Sequence, residues 1–466
     1  HHGLWPDGDT FEDVGRTANL GGPIWQEARK ELVEILSSVF APPDEFQFPT
    51  EDQDRNIFMT LLSGLVSVSD WLASMQSMFP AAGHQNGWQM YVDLSADRAK
   101  KAVAGQGWLL WNDPTGGEPL SFAQLFPDNP NPRPVQAAVL EKASDVTLPA
   151  MALIEAPTGI GKTEIAFALA DRWLRQNQGR GIYIAMPTQA TSNQMYKRTS
   201  NFLVRRYDGE AVHLQLAHSH AMLQEQFERK IVSSVGEDPI EGVLAAGWFL
   251  PRKRTLVAPF GVGTVDQVFL SILQVRHFFV SLFGLYGKVL IFDEIHAYDA
   301  YQSELFTRLL TWLRALKVSV ILLSATLPAQ ARSQMIRAYG GTIHMQQPMS
   351  YPCLTVVNEN GAEISPLPES PSVPLELDRV GSEPSDVAEY LKENLADGGC
   401  AAVICNTVSK AQSIFRAIKA AGVAPDHTFL FHARFPFSWR DEIEKQVLGA
   451  FGPGENSRPQ RAVVVA

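Results

Sequence analysis

Cysteine is scarce: 466 residues hold three thiols, Cys353, Cys400 and Cys405. Their spacing makes neither a disulfide framework nor a CxxC metal knuckle, which excludes a cross-linked mini-scaffold or a zinc ribbon and fits a reducing cytoplasm. Positive charge is also short. Lys and Arg number 39 against 50 Asp and Glu, a net charge of −11. That excludes a uniformly basic nucleic-acid coat, while a locally basic groove stays open. No unbroken apolar run reaches the roughly 18 residues of a membrane span, so no membrane is expected. The N-terminus lacks the basic, apolar, small-residue succession of a secretion signal. An initiator methionine is missing as well: the chain opens on "HHGLWPDGDT" and stops inside "RAVVVA", an apolar β-branched run that reads as an unfinished strand. A piece of a longer protein is expected. From two residues alone, the opening His1-His2 pair reads either as a tag stub or as part of a metal site.

What is present is the composition of a globular enzyme, 45% hydrophobic and 19% charged, at a length that asks for two or three domains. Residues 24–41 and 56–79 carry apolar side chains at helical spacing, and a third helical stretch lies near 88–105, so 1–108 is expected to be all-helical. A Pro/Gly/Asn-rich passage over 109–135 reads as a linker. From 136 to 346, short apolar runs ("AMALIEA", "GIYIAM", "KVLIFDE", "VSVILLSAT") alternate with amphipathic helices, which predicts a parallel sheet with helices on both faces. A second proline-rich linker is expected over 347–386. The alternation restarts over 387–466 with "CAAVICN", "TFLFHARF" and the closing "RAVVVA".

"EAPTGIGKTE" follows an apolar strand and opens a helix, the context a phosphate-binding loop requires. Thr158, Gly159 and Gly161 let backbone N–H groups close around an anion, and the helix N-terminus adds its dipole. Lys162 supplies a charge to the β/γ-phosphates, and Thr163 a hydroxyl to Mg²⁺. Ala156 stands where the pattern usually has its first glycine. "KVLIFDEIHAYD" ends a buried strand in two carboxylates, at the strand end where α/β sheets bind ligands. Phosphoryl transfer to water needs one carboxylate to hold Mg²⁺ and one to orient the water, roles that suit Asp293 and Glu294; with His296 they form a D-E-x-H box. "LLSATLP" (Ser324, Thr326) ends another strand in small hydroxyl residues suited to coupling. Gln136 in "RPVQ" could hold an adenine edge. Thr188 in "MPTQATSNQM" and Thr264 in "GVGTVDQV" place hydroxyls and helix starts where a phosphate backbone could rest, or act as plain caps. The basic "LPRKRTL" is expected to be solvated.

Together these motifs resemble a superfamily 2 helicase motor, and "DEIHAYD" and "FHARF" narrow the resemblance to the CRISPR-associated helicase–nucleases of type I interference systems. It covers about 130–466 strongly and 1–80 more loosely. It implies a multidomain protein: an all-α HD-type nuclease remnant, then α/β P-loop (RecA-like) helicase domains, the second incomplete. The implied activity is ATP-dependent 3′–5′ translocation on single-stranded DNA coupled to a metal-dependent nuclease, recruited by an RNA-guided surveillance complex. Along the strand the resemblance sets Thr188, Thr264, Ser324, Thr326, Asn406, His432 and Arg434. In the nuclease it sets His1, His2 and Asp70 around a divalent transition metal. Asp70, flanked by Val66, Val68, Trp71 and Leu72, would be an expensive unpaired carboxylate if buried, which also favours a ligand role. The family's earlier nuclease motifs and later arginines are not in this stretch, so the 466 residues alone are expected to bind nucleotide with little turnover. A general DExH helicase without nuclease, or a non-catalytic remnant acting as a binding module, remain the alternatives.

Overall fold

The computed structural model describes residues 20–43, 45–80, 88–106, 108, 120–176, 179–207, 212–217, 243–244, 254–273, 275–342, 350–369, 374–452 and 458–466. The chain divides into two compact units, His1–Pro371 and Ser372–Ala466.

The first unit opens with helices α1 (Pro23–Phe40), α2 (Asp52–Ala73) and α3 (Trp88–Gly105). Proline at the first turn starts α1, and two aspartates favour the N-terminal dipole end of α2. By length and composition alone, α2 is apolar enough to cross a membrane. Its buried side (Thr60, Gly64, Ser67, Val68, Leu72) is instead used inside the fold. It lies against α9 (Phe278–Leu285), where a side chain at Gly64 would meet the Phe283 Cβ at 2.3 Å. Helix α2 is therefore docked on the core of the α/β region.

That region is a sheet in the order β4-β3-β5-β2-β6-β7-β1-β8-β9. Its strands are β1 (Met151–Glu155), β2 (Gly181–Met186), β3 (Val212–Ala217), β4 (Val243–Leu244), β5 (Phe260–Thr264), β6 (Lys288–Phe292), β7 (Ser319–Ser324), β8 (Cys353–Asn358) and β9 (Gly361–Pro366). The first seven run parallel. Strand periodicity sends alternate residues to opposite faces. Ala152 and Ile154 join one core with Ile184, Ile291 and Ile321, beneath α5 (Pro134–Ala143), α6 (Lys162–Gln176) and α7 (Gln189–Arg206). Met151 and Leu153 join the other with Leu290, Phe292 and Leu322, beneath α8 (Val265–Phe269), α9, α10 (Ala300–Ala315) and α11 (Ala329–Ala338). Burial on both faces is why these strands read as unbroken apolar runs.

Two expected linkers are partly structured. Within 109–135, Ser121 and Gln124 form a capping box that starts the short α4 (Phe122–Leu125), whose Phe122 and Leu125 enter the core; 109–119 lies outside the described residues. Within 347–386, β8 pairs antiparallel with β1 and turns through Glu359-Asn360 into β9. The surrounding prolines hid a β-branched run, "LTVV", that covers the outer edge of β1.

The second unit has three parallel strands in the order β10 (Gly399–Val403), β12 (Arg461–Val465), β11 (Thr428–Leu430). Helices α12 (Pro384–Asn394) and α13 (Val408–Ala421) close its core through Ala388, Leu391, Ile414 and Ile418, while α14 (Phe437–Phe451) follows β11. Gly422, at φ +64°, ends α13 in the left-handed conformation that glycine adopts most easily.

Candidate active site

Strands β6, β7 and β1 are neighbours, so their C-terminal ends bring Asp293, Ser324 and the "EAPTGIGKT" loop to one edge of the sheet. Gly159 and Gly161 stand at φ +79° and +85°, a region that other side chains enter only with strain. At Gly161 the demand is also spatial, because a Cβ would lie 2.3 Å from the Gln136 amide nitrogen. Lys162 is buried, and its Nζ donates to Ala156 O at 2.8 Å and to Pro157 O at 3.4 Å. Burial lowers its pKa, with the Glu294 and Asp293 charges pulling the other way.

Gln136 is buried. Its Oε1 accepts from Arg133 N at 2.8 Å, and its Nε2 donates to Gly161 O at 3.1 Å. The residue expected to read adenine therefore also braces the phosphate loop, and the Arg133 guanidinium donates to Gly159 O in the same brace. Thr158, Thr163, Asp293 and Glu294 line one cleft of about 510 Å³ with them.

Asp293 is buried and accepts the Glu294 N–H at 2.9 Å. Its pKa is raised by burial first and by the Glu294 charge second, against that N–H, Lys162 and Arg198. Glu294 is held at φ +52°, a left-handed backbone that a non-glycine residue adopts only where its surroundings enforce it. The ring of His296 connects this box to β7: Nδ1 lies 3.3 Å from Glu294 Oε2, 3.3 Å from Ser324 Oγ and 3.5 Å from Ala325 N. One ring nitrogen cannot donate to Glu294 and accept from the β7 loop at once, so His296 is a two-way contact between the two motifs.

Thr163 and Asp293 supply a hydroxyl and a carboxylate, the hard oxygen donors Mg²⁺ takes, within a cleft that also holds a phosphate loop. The donor set fits that metal. Of the expected nuclease set, His1 and His2 lie outside the described residues, and Asp70 is exposed. Among the described residues no group of three His, Cys, Asp or Glu stands together for a metal. Helix α2 turns Asp70 away from its packed side, so the carboxylate bears no burial cost.

Among the expected strand contacts, Thr188, Thr326, Asn406 and Arg434 are exposed, and His432 is half-buried. Thr188 caps α7, accepting from Thr191 N at 3.3 Å. Ser324 and Thr264 are buried, and the Ser324 hydroxyl donates to Thr326 O at 3.0 Å. In the second unit His432 stacks on Phe435 with ring centres 4.2 Å apart. Arg198 lies outside every motif, and Arg133, inside "RPVQ", carries no expected role of its own; each acts on a loop residue far away in sequence, which no local pattern signals.

A phosphate loop after β1 and a DExH box after β6 define the ATP-binding domain of a DEAD/DEAH-type helicase, and the DEAD/DEAH box helicase family profile matches residues 133–334. The flanks are matched by profiles for the Cas3 HD domain (1–79) and the C-terminal region of the CRISPR-associated nuclease/helicase Cas3 (397–466). The chain belongs to the Cas3 nuclease/helicase family. It is 34% identical to the CRISPR-associated endonuclease/helicase Cas3 of Thermus thermophilus, over all of this chain and 55% of that protein. It is 30% identical to the Escherichia coli Cas3, over 94% of this chain and 50% of that one. The crystal structure of T. fusca Cas3-ATP superposes at TM-score 0.79 with 29% identity, covering all of this chain and 54% of that one. A CRISPR RNA-guided surveillance complex in a pre-nicking state contains a chain similar at TM-score 0.65 and 26% identity, covering all of this chain and 51% of that one. The chain spans about half the length of the curated relatives it matches.

Proposed function

We propose that this chain belongs to an ATP-driven motor that moves 3′ to 5′ on single-stranded DNA and feeds it to an attached metal-dependent nuclease. The observation that carries the reading is the convergence of Lys162, Thr163, Asp293 and Glu294 on one cleft at the ends of parallel strands. ATP docks with its phosphates on the loop and the N-terminus of α6, and Lys162 swings from the loop carbonyls to the β/γ-phosphates. Thr163 and Asp293 hold Mg²⁺, which neutralises phosphate charge when bound. Glu294 orients the attacking water, and its partner His296 carries the state of the box to the Ser324–Thr326 turn. Thr188, Thr264, Ser324, Thr326, Asn406, His432 and Arg434 remain the proposed strand-binding residues. Gln136 adds an adenine contact to its bracing role.

The nuclease arm rests on the HD-domain match over 1–79, and recruitment by an RNA-guided surveillance complex on the likeness to a chain within such a complex. His1, His2 and Asp70 remain its proposed metal ligands, and no chemical step is derived through that metal. The three free thiols suit the reducing cytoplasm of the proposal.

Fluorescence anisotropy of a labelled single-stranded oligonucleotide, with and without a non-hydrolysable ATP analogue and Mg²⁺, tests the motor reading. DNA affinity is expected to change with nucleotide, and RNA of the same sequence to bind more weakly. Binding that ignores nucleotide, or that prefers RNA, overturns it.

A further inference from the structure

Arg198 stands on α7, 35 residues from the loop threonine it touches. Its guanidinium donates to Thr163 Oγ1 at 3.2 Å and to Glu164 Oε1 at 2.6 Å. It lines the same cleft as Asp293 and Glu294. One cation on α7 thus pairs with Glu164, shares the cleft with two further carboxylates, and holds the hydroxyl that the loop offers to a metal.

The Arg198 side chain is 47% exposed and that of Glu164 28%. An ion pair this open contributes little to stability, so stability is a poor reason for its geometry. The position of the charge is better explained by the metal site. A guanidinium and a divalent cation at one hydroxyl oxygen repel each other, and the lone pair that accepts the Arg198 N–H is withdrawn from the metal. Charge repulsion at that oxygen therefore favours release of Arg198 from Thr163 when a metal docks. Glu164 is its second anchor, so the charge can let go of the hydroxyl and stay at the rim of the cleft.

We propose that Arg198 is a positioning residue and built-in counter-cation of the nucleotide site. Without metal it fixes the Thr163 side chain, balances the acidic cleft and lends positive charge to the phosphates; with metal it is the competitor that Mg²⁺ displaces. The inference rests on the nucleotide-site reading above. Linkage requires the effect to be reciprocal: what Arg198 takes from Mg²⁺ affinity, Mg²⁺ takes from the Arg198–Thr163 contact.

The test is equilibrium binding of a fluorescent N-methylanthraniloyl ADP to the purified protein and to Arg198→Gln and Arg198→Lys, each in EDTA and across a MgCl₂ titration. Removing the charge is expected to act with opposite signs. In EDTA, Arg198→Gln binds nucleotide more weakly. In the titration, it reaches half-maximal Mg²⁺ effect at a concentration lower by about fivefold or more, the low end of ordinary site-to-site coupling. Arg198→Lys keeps the charge and tracks the wild type, and all three share one melting temperature. A loss of equal size with and without Mg²⁺ makes Arg198 a plain phosphate ligand and overturns the inference, as does no change in either condition. If wild-type protein binds no nucleotide, the site reading fails and this inference with it. If it binds and the opposite signs are absent, this inference alone fails.

Discussion

Replacing Arg332 with methionine probes how the phosphate loop is anchored. Glu155 is the last residue of β1 and is 1% exposed; Arg332, on α11, is 7% exposed. Arg332 donates through two nitrogens to the two Glu155 oxygens, one bond measuring 2.6 Å, across 177 residues of chain. Cys353 Sγ lies 3.7 Å from the same carboxylate, so one acidic group joins β1, α11 and β8. The hydrogen bonds it donates to Glu155 hold the Arg332 guanidinium above its ordinary pKa. Arg332→Met leaves a buried carboxylate with no counter-charge, which destabilises by about 3–5 kcal/mol in comparable pairs. Glu155→Leu with Arg332→Met removes both charges and is expected to recover most of that loss. The assay is denaturant unfolding of the three proteins at neutral pH. A single-variant loss under about 1 kcal/mol, the scale of a surface pair, refutes the reasoning. A double variant as weak as the single one also refutes it.

Other outcomes follow from the packing. Gly64→Val drives a side chain into Phe283 and the Phe279 carbonyl, and is expected to lose about 1–3 kcal/mol in thermal unfolding. Gly105→Ala, with nothing within 4 Å of the new methyl group, should be neutral or slightly stabilising. Equal behaviour of the two would mean that α2 does not dock on α9. Lys288 is buried with its Nζ donating to Leu256 O at 2.6 Å and to Ala258 O, and desolvation lowers its pKa to about 7. Between that value and the unfolded 10.5, the unfolded chain holds the extra proton, so stability rises with pH across this window. Lys288→Met should remove that slope, seen as unfolding midpoints followed over the same window. It should give no gain at neutral pH, since two carbonyls lose their donor. A slope unchanged in the variant would show that Lys288 is not its source.

The phosphate loop and the DExH box were legible in the sequence because each is a short contiguous segment whose chemistry depends on its own spacing. The alternation of apolar runs and amphipathic helices likewise announced a sheet covered on both faces. What escaped depends on partners distant in sequence. Arg198 and Arg332 are ordinary helix residues until the topology carries them to Thr163 and Glu155. β8 and β9 hid among prolines because their apolar face exists only against β1. Asp70 looked buried from its apolar neighbours, yet α2 turns it outward. Ser324 and Thr264 looked accessible as strand-end hydroxyls, and neighbouring elements cover them. Local pattern gives the identity of a motif; burial is decided by the rest of the chain.

The central claim is that Lys162, Thr163 and Asp293 build one site for a nucleotide and its Mg²⁺. Calorimetric titration of MgATP into the wild type and Lys162→Ala tests it most directly. Loss of a charge-assisted hydrogen bond of about 1.5–3 kcal/mol corresponds to a Kd weakened roughly 10- to 150-fold. The account predicts saturable wild-type binding and a variant weakened by that factor with its melting temperature preserved. Equal affinity in the two proteins would contradict it.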